Sequence, residues 1–215
     1  MGHNHHIYNL RKQYSLESLS EKDVKNNPIA QLEHWMNEAI EAEVHEPNAV
    51  MLSTVSAEGQ PSSRIVLVRH ISSEGIFFYS NYNSKKGKEM AANSKISLAF
   101  FWPQLERQVR IEGVVEKLSS TQSDEYFNSR PRESQLGALA SEQSEEISRE
   151  ELEIKFTEFE KKFENSIIPR PPHWGGYCVK PSTMEFWQGR PNRLHDRITY
   201  TLIKDSAWKI KRLSP

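Results

Sequence analysis

The twelve residues from Phe186 to Arg197, FWQGRPNRLHDR, combine three arginines with Trp187 and His195. A guanidinium group binds phosphate or carboxylate oxygens as a planar fork, and an indole ring stacks on flat ligands. A surface loop does not need the tryptophan, and a core strand does not need three arginines. The mixture therefore predicts a site that binds a flat, anionic molecule.

Other basic residues stand where they could hold a phosphate. The chain has no G-x-G-x-x-G loop and no Walker A loop, so side chains would have to hold this group. Arg64 and Arg69 bracket IVLV and, five apart on a strand, point to opposite faces. Either the two arginines bind two different anions, or one of them is only exposed to solvent. Lys85 and Lys86 begin a short predicted helix, whose N-terminus favours phosphate, or they form a solvated charge cluster.

A second possible phosphate clamp is spaced four residues apart. Tyr126, Arg130 and Ser134 would present a hydroxyl, a guanidinium and a hydroxyl on one face of a helix. The alternative, indicated by Pro131, is that the helix breaks within this stretch. Neutral amides and hydroxyls suit the edge of a flavin or pyridine ring, although each alone resembles an ordinary surface residue. Those noted are Gln108, Gln143 and Ser144.

Composition limits the classes of partner. The 215 residues carry 28 Lys and Arg against 29 Asp and Glu, so no overall basic field attracts nucleic acid or an anionic membrane. Cys178 is the single cysteine, which excludes an intrachain disulfide and indicates a reducing compartment. The sequence has no secretory h-region and no apolar run of about 20 residues. A soluble, cytoplasmic protein is expected.

A histidine tract near the start has two interpretations. His3, His5 and His6 could bind a metal, or they belong to a polar tail or an expression remnant. The spacing lacks the second pair of ligands of a closed zinc site. We expect no metal site.

The periodicity predicts one α+β domain, mainly β, over residues 28–215, preceded by a flexible segment at 1–27. A helix begins at Pro28. Two short helices are expected within 121–142, and Ser148 with Glu151 forms a capping box for a further helix, whose apolar stripe is Leu152, Phe156, Phe159 and Phe163. Short turns between strands favour an antiparallel barrel with surrounding helices. The strands expected in the first half are 49–55, 64–70, 75–80, 95–102 and 107–118. Four more follow residue 172, namely HWGGYCVK, TMEFWQG, RITYTLIK and AWKIKRL, the last two joined by a turn at Asp205–Ser206.

Together these stretches resemble the pyridoxamine 5'-phosphate oxidase family. The motifs RIVLVRH, FYSNYNSKK, LERQVRIEG, YFNSRPRESQLGA, SEQS, HWGGY, EFWQG, RLHDR and AWKIKRLSP occur in the family's order, from about Arg11 to Pro215. The resemblance implies an FMN-binding split β-barrel and a homodimer with FMN at the subunit interface. It implies oxidation of pyridoxine 5'-phosphate and pyridoxamine 5'-phosphate to pyridoxal 5'-phosphate. In that reaction a hydride passes from substrate C4′ to flavin N5, and O2 reoxidises the flavin to give H2O2.

The resemblance also implies roles for individual positions. The FMN contacts are Arg64, Ile65, Val66, Leu67, Val68, Arg69, Tyr79, Ser80, Lys85, Lys86, Gln108, Gln143, Ser144, Trp187 and Arg197. The substrate contacts are Arg11, Lys12, Gln13, Tyr14, Arg69, Tyr126, Arg130, Ser134, Arg193, Leu194 and His195. Among these, Arg193 and His195 act in catalysis by placing the substrate ring. Residues 11–14 resemble a segment that folds over the occupied site.

Three positions depart from the commonest family pattern. Arg69 stands where a lysine is usual, Lys85 where an arginine is common, and Glu46 near an active-site aspartate. Each keeps its charge, but arginine and lysine differ at a phosphate, so substrate affinity is expected to differ. Neither His195 nor Glu46 can be assigned as a base, and bound water is an equal candidate.

Two other functions compete. One is a split-barrel flavin oxidoreductase that uses a nicotinamide or another reductant; it would not need the second phosphate clamp. The other is a protein that stores FMN or pyridoxal phosphate without catalysis. The presence of Arg193, His195 and Arg197 together argues against that loss of activity.

Overall fold

The computed structural model describes residue 10, residues 12–203 and residues 207–215. The predictions for the histidine tract, for Arg11 and for a turn at Asp205–Ser206 lie outside these residues. The helices of the described part are α1 (Pro28–Glu41), α2 (Lys85–Ala92), α3 (Ser120–Ser129), α4 (Arg132–Ala140) and α5 (Arg149–Lys162). Its strands are β1 (Ala49–Val55), β2 (Pro61–Ser72), β3 (Gly75–Asn81), β4 (Lys95–Trp102), β5 (Arg107–Lys117), β6 (Trp174–Gln188), β7 (Asp196–Leu202) and β8 (Trp208–Arg212).

The strands form one sheet in the order β3-β2-β1-β4-β5-β6-β7-β8, and β3 also pairs with β6. Strand β1 pairs antiparallel with β2 and β4, β2 with β3, β6 with β3 and β7, and β7 with β8. The extra β3–β6 pairing closes the six strands from β3 to β6 into a barrel. The antiparallel barrel predicted from the short turns is therefore confirmed.

Burial alternates along the strands. In β1, Val50, Leu52 and Thr54 are buried, whereas Met51 between them is exposed. This is the pattern of a strand with one face toward a core and the other toward solvent. The same alternation in β4 buries Leu98 completely.

Strand β6 differs from its prediction. The sequence indicated two strands, HWGGYCVK and TMEFWQG, but residues 174–188 form one strand that passes through Pro181. Residues 174–179 pair with β3, and residues 183–188 pair with β7. Pro181 therefore falls between the stretches paired with β3 and with β7, where its missing N–H breaks neither ladder.

Contacts within the chain define two compact units. The terminal unit comprises residues 1–47, 100–110 and 183–215, and the central unit comprises residues 48–99 and 111–182. Strands β4, β5 and β6 contribute residues to both. A single domain over 28–215 with a flexible segment before it stays a prediction. No helix in the described ranges is long and apolar enough to cross a membrane.

In the terminal unit, α1 packs by its apolar face. The Asn27 side chain caps the helix by accepting a hydrogen bond from the Ile29 amide at 2.8 Å. Trp35 is buried and meets the Phe186 ring edge to face, with centroids 5.2 Å apart. The Arg107 guanidinium lies 4.5 Å from the Trp35 ring centroid, so a charge covers this core.

In the central unit, the helices build a second apolar cluster. Its buried members are Phe127, Leu136, Ile168 and Trp174. The predicted capping box of α5 is confirmed, because Ser148 and Glu151 bond reciprocally. The phenylalanines of the predicted α5 stripe pack against the cluster but stay only partly buried; these are Phe156, Phe159 and Phe163.

The alternation of burial gives a stability test. Leu98→Ala should lower the free energy of unfolding by about 2–5 kcal/mol, because it removes a fully buried side chain and leaves a cavity. Leu202 has 40% of its surface exposed, and Leu202→Ala should change stability by no more than about 0.5 kcal/mol. Chemical denaturation of both variants measures the difference. Equal losses would contradict the assignment of the barrel interior.

Candidate active site

A cavity of about 470 Å³ lies within the central unit. Its volume falls in the range of small-molecule sites. Residues predicted to bind FMN and residues predicted to bind the substrate phosphate both line it. The lining residues are Ile65, Val66, Leu67, Arg69, Tyr79, Ser80, Asn81, Lys86, Tyr126, Arg130, Ser134, Gly137, Ala138, Ser141, Gln143 and Trp174.

The cavity is cationic. Arg69, Lys86 and Arg130 line it, and none of the described lining residues is acidic. The Nη1 atom of Arg130 is buried and has no hydrogen-bond partner among the described residues. Burial, together with the positive charge of Arg69, lowers the pKa of Arg130. A buried guanidinium nitrogen that has no acceptor among the described residues is costly unless a ligand supplies one, so this cavity is suited to an anion.

Near-parallel aromatic rings line one side of the cavity. The Tyr79 and Tyr126 rings lie 3.7 Å apart between centroids with an interplanar angle of 19°. The Trp174 ring lies 5.7 Å from Tyr79 and nearly parallel to it. The Arg130 guanidinium lies 4.5 Å from the Trp174 ring centroid, within cation–π distance.

The three residues of the predicted phosphate clamp lie on two helices and the link between them, not on one helical face. Helix α3 ends at Ser129, Arg130 has extended backbone angles of −74° and 149°, and Pro131 precedes α4. The two short helices and the break at Pro131 are confirmed, and the three residues do not share one helical face, because Pro131 disfavours helical geometry in the residue before it. Tyr126, Arg130 and Ser134 nevertheless line the same cavity.

Arg64 does not line this cavity. Its guanidinium donates to Thr54 Oγ1 at 2.5 Å and to Ser62 Oγ at 2.6 Å, and it lies 3.3 Å from the Glu89 carboxylate. Burial would raise the pKa of Glu89, but hydrogen bonds from Thr54 and Ser62 and the charge of Arg64 outweigh it and lower that pKa. A β-bulge after Val68 separates Arg64 from Arg69 along β2.

Lys86 lies at the first turn of α2, inside the cavity. Its Nζ donates to Ser84 Oγ at 3.1 Å and to Gln143 Oε1 at 3.0 Å. Burial, and then the charge of Arg64, lowers the pKa of Lys86 to about 8. The Lys85 amide donates to Ser144 Oγ at 3.1 Å. The predicted pairs 85–86 and 143–144 are thus brought together at the start of α2.

The other predicted FMN contacts belong to the terminal unit. Trp187 on β6 stands directly opposite Arg197 on β7. Arg197 donates to both carboxylate oxygens of Glu185, at 2.9 and 3.0 Å, and this carboxylate raises the pKa of Arg197. The bidentate pair fixes the guanidinium plane. Gln108 is partly buried on β5.

His195 has a defined tautomer. Its Nδ1 accepts a hydrogen bond from the Arg190 amide at 3.1 Å, so the proton of the neutral ring is on Nε2. Burial and the charge of Arg193 lower the pKa of His195. The lowered pKa favours the neutral ring, which in this tautomer offers one N–H donor from Nε2.

A second cavity, of about 820 Å³, lies within the terminal unit and contains most of the predicted ring contacts. Arg193 lies in a tight turn with a φ of 62°, an uncommon conformation for a residue with a long side chain. Leu194 is 68% exposed. The cavity is lined by Leu10, Lys12, Gln13, Tyr14, Arg190, Asn192, Arg193 and His195.

Sequence reasoning missed three buried carboxylates that hold the basic groups and the loops. Glu185 had a local signal, since it lies two residues before Trp187 on the same strand face. Glu89 and Glu106 had no such local signal, because their partners are distant in sequence: Arg64 is 25 residues from Glu89. Glu46, noted as a possible active-site acid, is exposed in the turn after α1 and lies 3.9 Å from His45.

Known proteins resemble this chain along most of its length. Residues 36–163 match the family described as pyridoxamine 5'-phosphate oxidase, and residues 174–215 match the pyridoxine 5'-phosphate oxidase C-terminal dimerisation region. The second match indicates a homodimer. Curated pyridoxine/pyridoxamine 5'-phosphate oxidases from Trichormus variabilis and Cupriavidus pinatubonensis are each 54% identical over 210 residues. These alignments cover 97% of this chain and 98% and 99% of the relatives.

Solved structures confirm the predicted fold. PhzG from Burkholderia lata, solved with tetrahydrophenazine-1-carboxylic acid, has a TM-score of 0.88 and 31% identity, covering 94% of this chain and 100% of that one. An FMN-binding protein from Nostoc punctiforme, related to pyridoxamine 5'-phosphate oxidase, has a TM-score of 0.72 and 15% identity, with 93% and 100% covered. The fold is a split β-barrel, and FMN is the cofactor expected of it. From the two family matches and the full-length relatives, the chain belongs to the pyridoxamine 5'-phosphate oxidase family.

Proposed function

We propose that this protein oxidises pyridoxine 5'-phosphate and pyridoxamine 5'-phosphate to pyridoxal 5'-phosphate with FMN. The observation that carries the proposal is the buried Nη1 of Arg130, which has no partner among the described residues and lies in a cavity without acidic lining. A phosphorylated substrate supplies the missing anion. A flavin reductase acting on an unphosphorylated compound gives no reason for this group.

The residues present fit FMN. Lys86 and Arg69 supply positive charge for a phosphate, and Gln143 supplies an amide beside Lys86. We propose that FMN lies at the interface of the homodimer. The chain's contacts would be Arg64, Ile65, Val66, Leu67, Val68, Arg69, Tyr79, Ser80, Lys85, Lys86, Gln108, Gln143, Ser144, Trp187 and Arg197.

Bound FMN would supply the redox chemistry, a two-electron oxidation of the substrate at C4′ with O2 as the final oxidant and H2O2 as its product. The side chains of the protein hold the substrate in place for this reaction. Arg130, with Tyr126 and Ser134, holds the substrate phosphate, and Arg193 presses the pyridine ring toward the flavin. Oxidation of the amine gives an imine, which water hydrolyses to the aldehyde and ammonia.

His195 acts as a hydrogen-bond donor to the substrate ring. Its Nδ1 is occupied by the Arg190 amide, and its Nε2 carries the proton of the neutral ring. A neutral ring in this tautomer has no free nitrogen with which to accept the proton that leaves the C4′ hydroxyl or amine. We therefore assign that proton to water. The buried cysteine and the metabolic role favour the cytoplasm as location.

Spectroscopy of the bound flavin tests the proposal directly. The FMN-loaded protein is mixed with each B6 phosphate without oxygen, and the visible flavin band is followed. We expect the band to bleach and to return when air is admitted, with formation of pyridoxal 5'-phosphate. A band that stays oxidised with both phosphates but bleaches with tetrahydrophenazine-1-carboxylic acid, the ligand of the PhzG structure, would overturn the substrate assignment.

Arg130→Ala should raise the KM for pyridoxine 5'-phosphate by about 10- to 100-fold, because a charge-assisted contact with the phosphate is lost. Oxidation of unphosphorylated pyridoxine should be unaffected by the change. Arg132→Ala is the matched control, since Arg132 is exposed and donates to the backbone oxygens of Phe163 and Ser166. A loss confined to kcat, or an equal loss with both substrates, contradicts the phosphate role.

The pKa of Lys86 gives a pH dependence. Lys86 is charged below pH about 8 and neutral above it. Its attraction for the FMN phosphate is therefore present at low pH and lost as the pH rises. The Kd for FMN should rise above pH 8 by up to about tenfold per pH unit. Lys86→Arg should remove this inflection, since arginine stays charged. A constant Kd for the unaltered protein between pH 7 and pH 9.5 would exclude the role.

A further inference from the structure

Glu106 is a buried carboxylate to which the sequence and the family matches assign no role. It lies in the terminal unit, between β4 and β5, and is 2% exposed. Its Oε2 accepts hydrogen bonds from the amides of Ser15 at 2.8 Å and Leu16 at 3.1 Å. Its Oε1 lies 3.1 Å from Lys12 Nζ. One carboxylate thus binds three donors of a segment about ninety residues away along the chain.

The segment that Glu106 binds carries Tyr14 to the proposed substrate wall. The Tyr14 ring meets Trp187 edge to face at 5.6 Å between centroids, and it lies 5.7 Å from the His195 ring. Gly189 makes this approach possible, since a Cβ there would lie 2.8 Å from the Tyr14 Cβ. The position of Tyr14 therefore depends on how its flanking residues are held.

The backbone of Glu106 binds the other side of the same wall. Its carbonyl oxygen accepts the Gly189 amide at 2.8 Å and Gln188 Nε2 at 3.3 Å. Glu106 has a φ of 54°, which turns the backbone at this point. One residue thus ties the end of β6 through its carbonyl and the Lys12–Leu16 segment through its carboxylate.

We propose that Glu106 is a positioning residue, whose carboxylate holds the Lys12–Leu16 segment so that Tyr14 completes the substrate wall beside Trp187 and His195. The effect of this role on catalysis rests on the proposed function, whereas the anchoring of the segment does not. Glu106 touches neither substrate nor FMN in this proposal and acts through Tyr14.

A carboxylate suits this task better than an amide. The three donors need an acceptor with two oxygens, and the negative charge matches Lys12. Burial opposes ionisation, but the hydrogen bonds from Leu16, Lys12 and Ser15 outweigh it and lower the pKa of Glu106. A glutamine would keep the shape while directing an NH2 group at one of the donors.

Separate contacts hold the chain that follows. The Leu19 amide donates to Asp196 Oδ2 at 3.0 Å, and Arg190 Nη1 donates to the Glu17 carbonyl at 3.1 Å. Arg212 donates to the Leu19 carbonyl at 2.9 Å. Loss of the Glu106 carboxylate should therefore release residues 12–16 and leave residues 17–21 in place.

Glu106→Gln in the full-length, FMN-loaded protein tests the anchor, with Glu153→Gln on the exposed face of α5 as control. Trypsin cleavage of the Lys12–Gln13 bond, followed by mass spectrometry, reports the segment without any substrate. We expect Glu106→Gln to be cut about tenfold faster than the unaltered protein and the control, with the same thermal midpoint within a few degrees. An unchanged cleavage rate would overturn the anchor.

Kinetics test the positioning role. Glu106→Gln should raise the KM for pyridoxine 5'-phosphate about tenfold, change kcat less than about threefold, and leave the Kd for FMN unchanged. Added to Tyr14→Ala, it should raise KM no further, because both changes remove the same contact. Independent effects of the two changes would overturn action through Tyr14. If the unaltered protein oxidises neither B6 phosphate, the proposed function fails, while the trypsin result still decides the anchor.

Discussion

The pairing of β3 with β6 is the constraint on which the cavity of the central unit depends. It closes the barrel, and its register places Tyr79 opposite Gly176 and Asn81 opposite Trp174. A Cβ at Gly176 would lie 2.8 Å from the Tyr79 ring, so a residue with a side chain there would displace the ring. Closure of the barrel and the placement of Tyr79 and Trp174 at the cavity therefore have one structural cause.

The cationic residues of this cavity destabilise the folded protein, because no acidic residue among the described lining residues offsets their charge. Two partly buried arginines outside the cavity have carboxylate partners: Arg64 has Glu89, and Arg197 has Glu185. Arg69 and Arg130 instead lie close enough for their charges to oppose each other. A bound anion removes that opposition, so ligand binding and folding stability are linked in this protein.

The sequence was sufficient for most of the helices and strands and for many of the residues that line the two cavities, because those features depend on local pattern. Strand alternation, the Ser148 capping box and the cluster of arginines near Trp187 are all visible within a few residues. The break between the two short helices near Pro131 was predicted, because proline restricts the residue before it, but proline does not fix the direction in which the chain continues. Passage of β6 through Pro181 depends on which strands lie alongside, and no short window contains that information.

The buried carboxylates show more clearly what the sequence alone does not predict. A glutamate beside basic residues is interpreted as an exposed surface charge unless its distant partners are known, and Glu106 binds residues about ninety positions earlier. The tautomer of His195 likewise depends on a backbone amide that only the folded turn presents. Long-range hydrogen bonds of this kind are properties of the fold rather than of a motif.

The anchoring of the N-terminal segment also orders events during synthesis. Leu19 bonds Asp196 across 177 positions, and Arg212 bonds Glu21 across 191. Contacts of such sequence separation form late, because the intervening chain must first be made and closed. The segment from Leu19 to Glu21 therefore docks only after residues 196 and 212 have been made. The segment from Lys12 to Leu16 depends instead on Glu106, which is made much earlier, so the two halves of the N-terminal segment become anchored at different times.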